Sequence, residues 1–223
     1  MKNKIFAIGA LSLLALTSCF QAKNSKQLYK VDEDAWHQLF QEGKALDPFS
    51  NVSINITNGG KVCFGTSDYP DIQIFITNGY IHIRGYQEFY YYVPSDSYDK
   101  KTDTYKGVET YEADSQGVWQ LIGTYDFESL SFLEFYITPA LRIENLKMSE
   151  FEFDNKYNTY NCDKVTSKGY WLPNDPTFTL TDVAIHFREG NLQTLEYFIS
   201  DQNTKITAAF YDYGNTIVER SIS

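Results

Sequence analysis

The sequence lacks the short motifs that identify most enzymes. It contains no G-x-S-x-G, no H-E-x-x-H, no P-loop and no G-x-G-x-x-G. C-x-x-C is absent as well, which removes thioredoxin-like redox sites and zinc ribbons. The histidines His37, His82 and His186 each fall at a position predicted to be polar. We therefore predict a protein that is not an enzyme and holds no cofactor or metal. A pair of His82 and His186 on neighbouring strands remains the alternative.

Positive charge is scarce. The chain has 19 Lys and Arg residues against 29 Asp and Glu residues, a formal net charge of −10 at pH 7. Nucleic-acid binding depends on a basic surface that displaces counterions from phosphates, so we expect no nucleic-acid partner. Negative charge also repels anionic lipid headgroups, so we do not expect the folded part to adhere to a membrane by itself.

Long apolar runs are missing, except for a short one near the N-terminus. The run from Ile5 to Leu16 has 12 residues and follows Lys2 and Lys4. A membrane-spanning helix needs about 20 apolar residues. A cationic start, a short apolar segment and small residues after it are typical of an export signal, which we predict over residues 1–18.

The end of this run, Leu16-Thr17-Ser18-Cys19, resembles a bacterial lipobox, whose cysteine receives a diacylglycerol thioether before cleavage in front of it. The resemblance implies a mature chain that begins at lipidated Cys19 and is held by this lipid to the outside of the bacterial cell membrane. The alternatives are a secretory signal with an incidental cysteine and an uncleaved anchor. Residues 19–30 are polar and predict a flexible tether. Residues 31–223 have the length of a single domain.

Hydrophobic periodicity changes once along this domain. Four apolar residues first share one stripe of a 3.6-residue period: Ala35, Trp36, Leu39 and Phe40. Preceded by Asp32-Glu33-Asp34, they predict a helix of about 12 residues that ends at Gly43. From residue 51 the period becomes 2, and this alternation predicts strands with one apolar face.

Turn signals such as Asn58-Gly59-Gly60 and Asn78-Gly79 join about 11–13 such strands, the last at Thr216–Glu219. Residues 127–146 break the alternation and predict short helical pieces. We therefore predict a mainly β (α+β) fold: a strongly curved antiparallel sheet or unclosed β-barrel with an N-terminal helix and a short helical insertion. Because two short helical pieces are too small to cover so large a sheet, we expect an apolar cleft on its concave face.

Aromatic residues are abundant, with 18 Tyr and 16 Phe. They favour pleated, half-buried surfaces and so agree with a β fold. Five tyrosines gather around one predicted strand and its loop: Tyr86, Tyr90, Tyr92, Tyr98 and Tyr105. If exposed, they would form an aromatic contact surface for sugars or proteins. The alternative is that they fill one face of the sheet.

Cys63 and Cys162 are the cysteines of the predicted domain, and two hypotheses are open for them. A disulfide between them would close a loop of about 100 residues and stabilise the fold by up to ~4.7 kcal/mol. Alternatively, both are thiols that pack as small hydrophobic residues.

The order of these features resembles one superfamily of bacterial lipoproteins. The lipobox, the tether, the helix with Trp36 and the hairpins that end in Ala209-Phe210-Tyr211-Asp212-Tyr213-Gly214 are similar to the periplasmic lipoprotein carriers and the mycobacterial lipid-carrying lipoproteins. The resemblance implies an unclosed β-barrel whose concave, helix-lined face holds acyl chains. No binding residue of the family is matched here residue by residue.

Two functions follow as expectations. The first is a membrane-anchored, surface-exposed, non-catalytic binding protein that holds a lipid or another apolar ligand in the concave face. The second is a glycan- or protein-interaction module that uses an exposed Tyr-rich face and has a filled core. The sequence identifies no protein partner.

Overall fold

The structure is a computed structural model that describes residues 30–43, 46–65, 67–68, 71–128, 131–168 and 177–218. The predicted signal peptide, Cys19 and residues 20–29 of the predicted tether lie outside the described residues. Within these ranges, no helix has the length and apolar character that crossing a membrane requires.

One antiparallel sheet of 12 strands dominates the fold. In chain order the strands are β1 (Asn51–Thr57), β2 (Ile72–Thr77), β3 (Tyr80–Arg84), β4 (Phe89–Tyr92), β5 (Tyr98–Asp99), β6 (Thr104–Ala113), β7 (Trp119–Glu128), β8 (Glu152–Asp154), β9 (Thr159–Lys168), β10 (Thr177–Arg188), β11 (Asn191–Ile199) and β12 (Thr204–Tyr211). Their spatial order is β5-β6-β4-β3-β2-β1-β12-β11-β10-β9-β8, and β7 pairs with the other edge of β6. The two ends of this order do not pair with each other among the described strands, which confirms the predicted unclosed sheet.

The period-2 pattern gives this sheet one apolar face. Buried residues of β1 and β2 stand opposite one another in three pairs: Val52 and Ile76, Ile54 and Ile74, Ile56 and Ile72. The following hairpin turns at Asn78 and Gly79, whose φ angles of 49° and 88° are typical of a type I′ turn. A Cβ on Gly79 would lie 2.5 Å from the carbonyl oxygen of Val93, so this position requires glycine.

In the described part of the chain, three short α-helices accompany the sheet. They are α1 (Glu33–Trp36), α2 (Gly59–Phe64) and α3 (Ser131–Ile137), and two 3-10 turns follow α3, at Ile143–Asn145 and Met148–Glu150. The carboxylate of Asp32 caps α1 by accepting a hydrogen bond from the backbone nitrogen of Ala35 at 2.8 Å. A π-helical turn, His37–Gln41, continues α1. The predicted N-terminal helix and helical insertion are confirmed.

α2 is a difference from the sequence analysis, which predicts only a turn at Asn58-Gly59-Gly60. Asn58 has the left-handed backbone of a turn residue, with φ of 61°. The chain then coils into a helix because Val62 and Cys63 can be buried on the apolar face.

The sheet curves around the helices. α3 has 7 residues, and it spans only about 10 Å because a helix rises ~1.5 Å per residue. It nevertheless contacts both β1 and β7. Four strands lie between β1 and β7, a separation of roughly 24 Å in a flat sheet. The sheet must therefore bend toward α3, and we call the covered side the concave face and the opposite side the convex face.

The predicted last strand is the second difference. The described residues Thr216 to Val218 are not a strand and instead cross the convex face. Thr216 makes side-chain hydrogen bonds there, and its hydroxyl lies 2.8 Å from that of Ser53. Individual side-chain bonds, which a period-2 pattern does not reveal, thus replace a ladder of backbone bonds at this end of the chain.

Trp36 connects the helical cover to the sheet. Its side chain is 1% exposed, and its Nε1 donates a hydrogen bond to the carbonyl oxygen of Leu146 at 2.8 Å. Its ring contacts Tyr160 of β9 and Phe187 of β10, with centroids 5.1 and 6.1 Å away. One side chain therefore holds α1, the segment after α3 and the sheet together.

Replacing Trp36 by alanine should lower the free energy of unfolding by ~3–5 kcal/mol, because a large cavity forms in the core. The neighbouring substitution His37→Ala removes an exposed side chain and should change it by less than ~0.5 kcal/mol. Urea unfolding followed by circular dichroism measures both. Equal effects of the two substitutions would contradict the role given to Trp36.

Candidate functional site

Side chains of the protein itself fill the described concave face. On one side Trp36 packs with aromatic rings whose centroids lie 4.8–6.1 Å from its own: Phe40, Phe151, Tyr160 and Phe187. On the other side the fully buried residues come from α3 and the segment that follows it: Leu133, Ile137, Leu141, Ile143 and Leu146. These side chains occupy the place where the sequence analysis expects an apolar cleft.

A chain of polar side chains crosses this interior. Tyr91 of β4 and Tyr136 of α3 share a hydrogen bond. Tyr136 and Tyr197 of β11 both interact electrostatically with Cys63 of α2, whose thiol donates to the carbonyl oxygen of Phe135 at 3.3 Å. Burial raises the pKa of Tyr136 to about 12 and raises the pKa of the Cys63 thiol above its ordinary value. These groups therefore stay protonated at neutral pH and serve as hydrogen-bonding groups rather than nucleophiles.

The possible disulfide between Cys63 and Cys162 is not formed. Both residues are free thiols, Cys63 buried and Cys162 partly exposed. Cys63 points into the core from α2, while the thiol of Cys162 on β9 donates to the carbonyl oxygen of Lys164 at 3.5 Å. Each thiol thus has a local acceptor, and for Cys63 the alternative of a buried thiol is correct.

Glu134 on α3 is a half-buried acid at the edge of this interior. Burial, with a smaller effect of the Glu144 carboxylate, raises the pKa of Glu134 to about 8. The positive charge of Arg142 acts in the opposite direction. At neutral pH Glu134 is therefore mostly protonated, and it titrates in the physiological range.

A second apolar cluster lies on the convex face, outside the main core. Tyr90, Tyr111 and Trp119 form its centre and are 1%, 6% and 7% exposed. Strand pairing aligns one residue from each of six strands across this face: Ser53, Phe75, His82, Tyr90, Tyr111 and Leu121. We call these six residues the aromatic row.

Tyr80 and Tyr92 lie beside the aromatic row, opposite each other on β3 and β4. Their rings are stacked, with centroids 4.8 Å apart and planes at 29°. Both side chains are half-buried. On the next strand Glu109 stands opposite Tyr92, and its carboxylate accepts a hydrogen bond from the hydroxyl of Tyr111. Two aromatic rings and a carboxylate thus stand side by side on the convex face, and we call Tyr80 and Tyr92 the tyrosine pair.

His82 lies within the aromatic row and is only 7% exposed, although the sequence analysis expects it to be solvated. Its Nε2 lies 2.7 Å from a carboxylate oxygen of Glu88, and its ring meets that of Trp119 edge-on at 5.5 Å. Burial lowers the pKa of His82 below its ordinary value. Four strands separate β3 from β10, so the alternative pair of His82 and His186 is wrong. No group of three metal-ligating side chains is found in the described part of the chain.

The C-terminal segment covers part of the convex face. The backbone nitrogen of Thr216 donates to the side-chain oxygen of Asn51 at 2.7 Å, and the hydroxyl of Thr77 donates to the carbonyl oxygen of Thr216 at 2.8 Å. Val218 packs against the cluster around Tyr90. We call residues 212–218 the C-terminal strap, and it leaves the tyrosine pair at the border of the covered area.

The five tyrosines of the predicted contact surface do not form one surface. Tyr86 and Tyr98 are exposed at different places, and Tyr105 is buried in the concave core. Tyr90 is buried in the convex cluster, and Tyr92 is half-buried beside it. The reason is that positions along β4 and β6 alternate between the two faces, so closeness in sequence does not place their side chains together.

Three other residues belong to the convex cluster and were not singled out from the sequence: Tyr80, Tyr111 and Trp119. Tyr80 alternates with the buried Ile81, and this pattern already assigns Tyr80 to the face opposite the core. For Tyr111 and Trp119 the alternation is interrupted, because β6 has an extra residue between Tyr105 and Val108, and β7 has one, Ile122, between the partners of Thr110 and Tyr111. A β-bulge of this kind has no clear sequence signal here.

No family profile matches the sequence, and no curated protein is significantly similar to it. The resemblance to lipid-carrying lipoproteins therefore stays an expectation from the sequence.

Glu134→Gln should reduce the pH dependence of stability. The pKa of Glu134 is about 8 in the folded state against 4.5 for an ordinary glutamate. The folded state therefore binds more protons than the unfolded state in this interval, and its stability falls as pH rises. Glutamine keeps the shape and removes the titration, so the variant should lose less stability than the native chain between pH 5 and pH 8. Thermal unfolding at both pH values measures this.

The exposed residue Glu150 offers a matched control. Glu150→Gln makes the same chemical change in the same helical insertion, but at a carboxyl group that is exposed to water. Glu150→Gln should leave the pH dependence as it is in the native chain. An unchanged pH dependence in Glu134→Gln would show that Glu134 is not protonated by burial.

Proposed function

We propose that this protein is a non-catalytic binding protein, anchored outside the bacterial membrane through lipidated Cys19, that contacts its ligand with the convex face. The tyrosine pair carries this proposal. Tyr80 and Tyr92 are stacked and half-buried, and they lie on a layer of aromatic residues that the main core does not need. Two partly exposed aromatic rings on the outer face of a sheet are costly to leave in water, so a contact role accounts for the tyrosine pair.

The filled interior favours the convex face over the concave one. A lipid between the sheet and the helices would have to displace Trp36 and the buried residues of the segment after α3. Displacing a single large core side chain costs about 3–5 kcal/mol. The expectation of a lipid or another apolar ligand in the concave face stays untested, and the packing makes it the less favourable of the two hypotheses.

A glycan is the ligand class that fits the tyrosine pair best. A tyrosine ring offers a flat apolar surface with a polar hydroxyl at its edge, which suits a sugar ring with its C–H face and flanking hydroxyls. Glu109 stands beside Tyr92 and supplies a carboxylate acceptor. The mixture of rings and hydrogen-bonding groups is typical of sites that orient a polar ligand.

Tyr92→Ala should weaken glycan binding by at least ~5-fold, because one aromatic contact contributes roughly 1 kcal/mol or more to binding. The full chain, purified in detergent, is first tested on an array of bacterial-envelope glycans. The dissociation constant of the tightest-bound glycan is then measured by calorimetric titration for the native chain and the variant.

Tyr157→Ala is the matched control, since Tyr157 is 61% exposed and lies in the turn between β8 and β9, away from the convex cluster. This variant should bind the glycan like the native chain. The proposed function is contradicted if no glycan binds above background, or if Tyr92→Ala binds as tightly as the native chain.

A further inference from the structure

The row of residues that contains the tyrosine pair continues into a carboxylate. Strand pairing aligns one residue from each of four neighbouring strands, β3, β4, β6 and β7: Tyr80, Tyr92, Glu109 and Thr124. Residues that stand opposite each other on antiparallel strands share a face, with Cβ atoms about 4.5–5.5 Å apart. The Glu109 carboxylate therefore stands within reach of a small group that is bound on the ring of Tyr92.

Glu109 has unused capacity to accept hydrogen bonds. Its side chain is half-buried, and its carboxylate accepts a hydrogen bond from the hydroxyl of Tyr111. No lysine, arginine or histidine within the described ranges forms an ion pair with Glu109. A carboxylate has two oxygens with about four lone-pair sites, so most of its acceptor sites remain open to a ligand.

The positive charges on the strands beside β4 are bound by other carboxylates. β3 and β6 contain one Lys or Arg each. Arg84 Nε lies 3.1 Å from a carboxylate oxygen of Glu88, and Lys106 Nζ lies 2.6 Å from one of Asp99. Lys106 also interacts electrostatically with Asp126 of β7. These cations are thus held elsewhere, and the negative charge of Glu109 stays uncompensated among the described residues.

An aromatic ring and a carboxylate side by side favour a cationic group. An ammonium group over the face of a tyrosine ring is attracted by the ring quadrupole. The same ammonium group can donate charge-assisted hydrogen bonds to a neighbouring carboxylate. An anionic sugar would be repelled, both by Glu109 and by the net charge of −10 of the whole chain. Charge complementarity therefore favours a positively charged ligand at the tyrosine pair.

We propose that the ligand of the tyrosine pair is a glycan with free, protonated amino groups, as in a polymer of de-N-acetylated amino sugars. The inference rests on the proposed function and adds to it the chemical group that the site recognises. A sugar ring stacks on Tyr92, and the ammonium group at its edge binds Glu109. The exposed hydroxyl group of Thr124 binds a neighbouring hydroxyl of the sugar.

Two matched probes test this proposal: the tetramer of glucosamine and the tetramer of N-acetylglucosamine, which differ only in acetylation of the amino groups. Calorimetric titration of the full chain in neutral detergent measures both dissociation constants. A pH of ~6 keeps amino groups protonated, and ~150 mM NaCl screens long-range attraction to the acidic chain. We expect the glucosamine tetramer to bind at least ~5-fold more tightly, because only its ammonium groups are attracted by the ring and the carboxylate.

Glu109→Gln should weaken binding of the glucosamine tetramer by at least ~5-fold, because it removes the charge but keeps an oxygen that can accept from Tyr111. Glu112→Gln is the matched control. Glu112 is an exposed residue of the same strand, and it stands opposite Phe89, which packs against the main core on the other face. Both substitutions change the net charge equally, and Glu112→Gln should bind like the native chain.

N-acetylated tetralysine separates an amino sugar from a basic peptide, since it has the same number of ammonium groups and no sugar ring. It should bind at least ~5-fold more weakly than the glucosamine tetramer. Equal or tighter binding of tetralysine overturns the proposal and indicates a protein ligand.

Three further results would also overturn the inference: equal binding of the two sugar tetramers, native affinity of Glu109→Gln for the glucosamine tetramer, or no binding of either tetramer. The proposed function survives each of these results as long as another glycan of the array binds and Tyr92→Ala weakens it. An array without any bound glycan overturns both.

Discussion

The hydrogen bond from Trp36 Nε1 to the carbonyl oxygen of Leu146, 2.8 Å long, joins the two pieces that cover the sheet. A sheet with one continuous apolar face cannot leave that face in water, because each exposed Val or Ile side chain costs about 1.5–3 kcal/mol. Within the described residues, only short helices are present to cover this face. The sheet bends toward them, and aromatic residues such as Phe187 and Tyr160 fill the remaining space around Trp36.

The filled interior changes what the outer face can do. The concave side is occupied, and the convex side carries a second buried cluster, centred on Tyr90 and Trp119, with the half-buried tyrosine pair beside it. The C-terminal strap covers part of it through Thr216, whose bonds to Asn51, Ser53 and Thr77 hold the strap in place. The tyrosine pair remains at the border of this cover, so the proposed contact site follows from the way the C-terminal strap covers the convex face.

Local patterns predicted the parts of the fold that depend on local physics. Ile72, Ile74 and Ile76 alternate strictly, and the Asn78-Gly79 turn needs two positive φ angles, so β1–β3 were predictable residue by residue. The acidic residues before Trp36 and the apolar stripe that contains Trp36 predicted α1. α2 was missed because Gly59 and Gly60 favour turns, and only burial of the following residues against the sheet makes this segment helical.

The candidate site was predictable only in part. Tyr92 could be assigned to the outer face by alternation, but Tyr105 could not, because which face of β6 it occupies depends on a bulge near Gly107. The burial of His82 depends on Trp119 from a strand that is distant in sequence. The interior was expected to contain a cleft because two short helical pieces were judged too small to cover so large a sheet. The fit of the residues after α3 against the sheet arises only in three dimensions.

The most direct test of this account is a measurement of lipid bound without a covalent bond. The full chain is purified, washed with detergent and extracted with organic solvent, and the extract is quantified by mass spectrometry against the protein. The account predicts no lipid at a one-to-one ratio, because the protein's own side chains occupy the concave face. One extractable lipid per chain, lost together with Trp36→Ala, would contradict it.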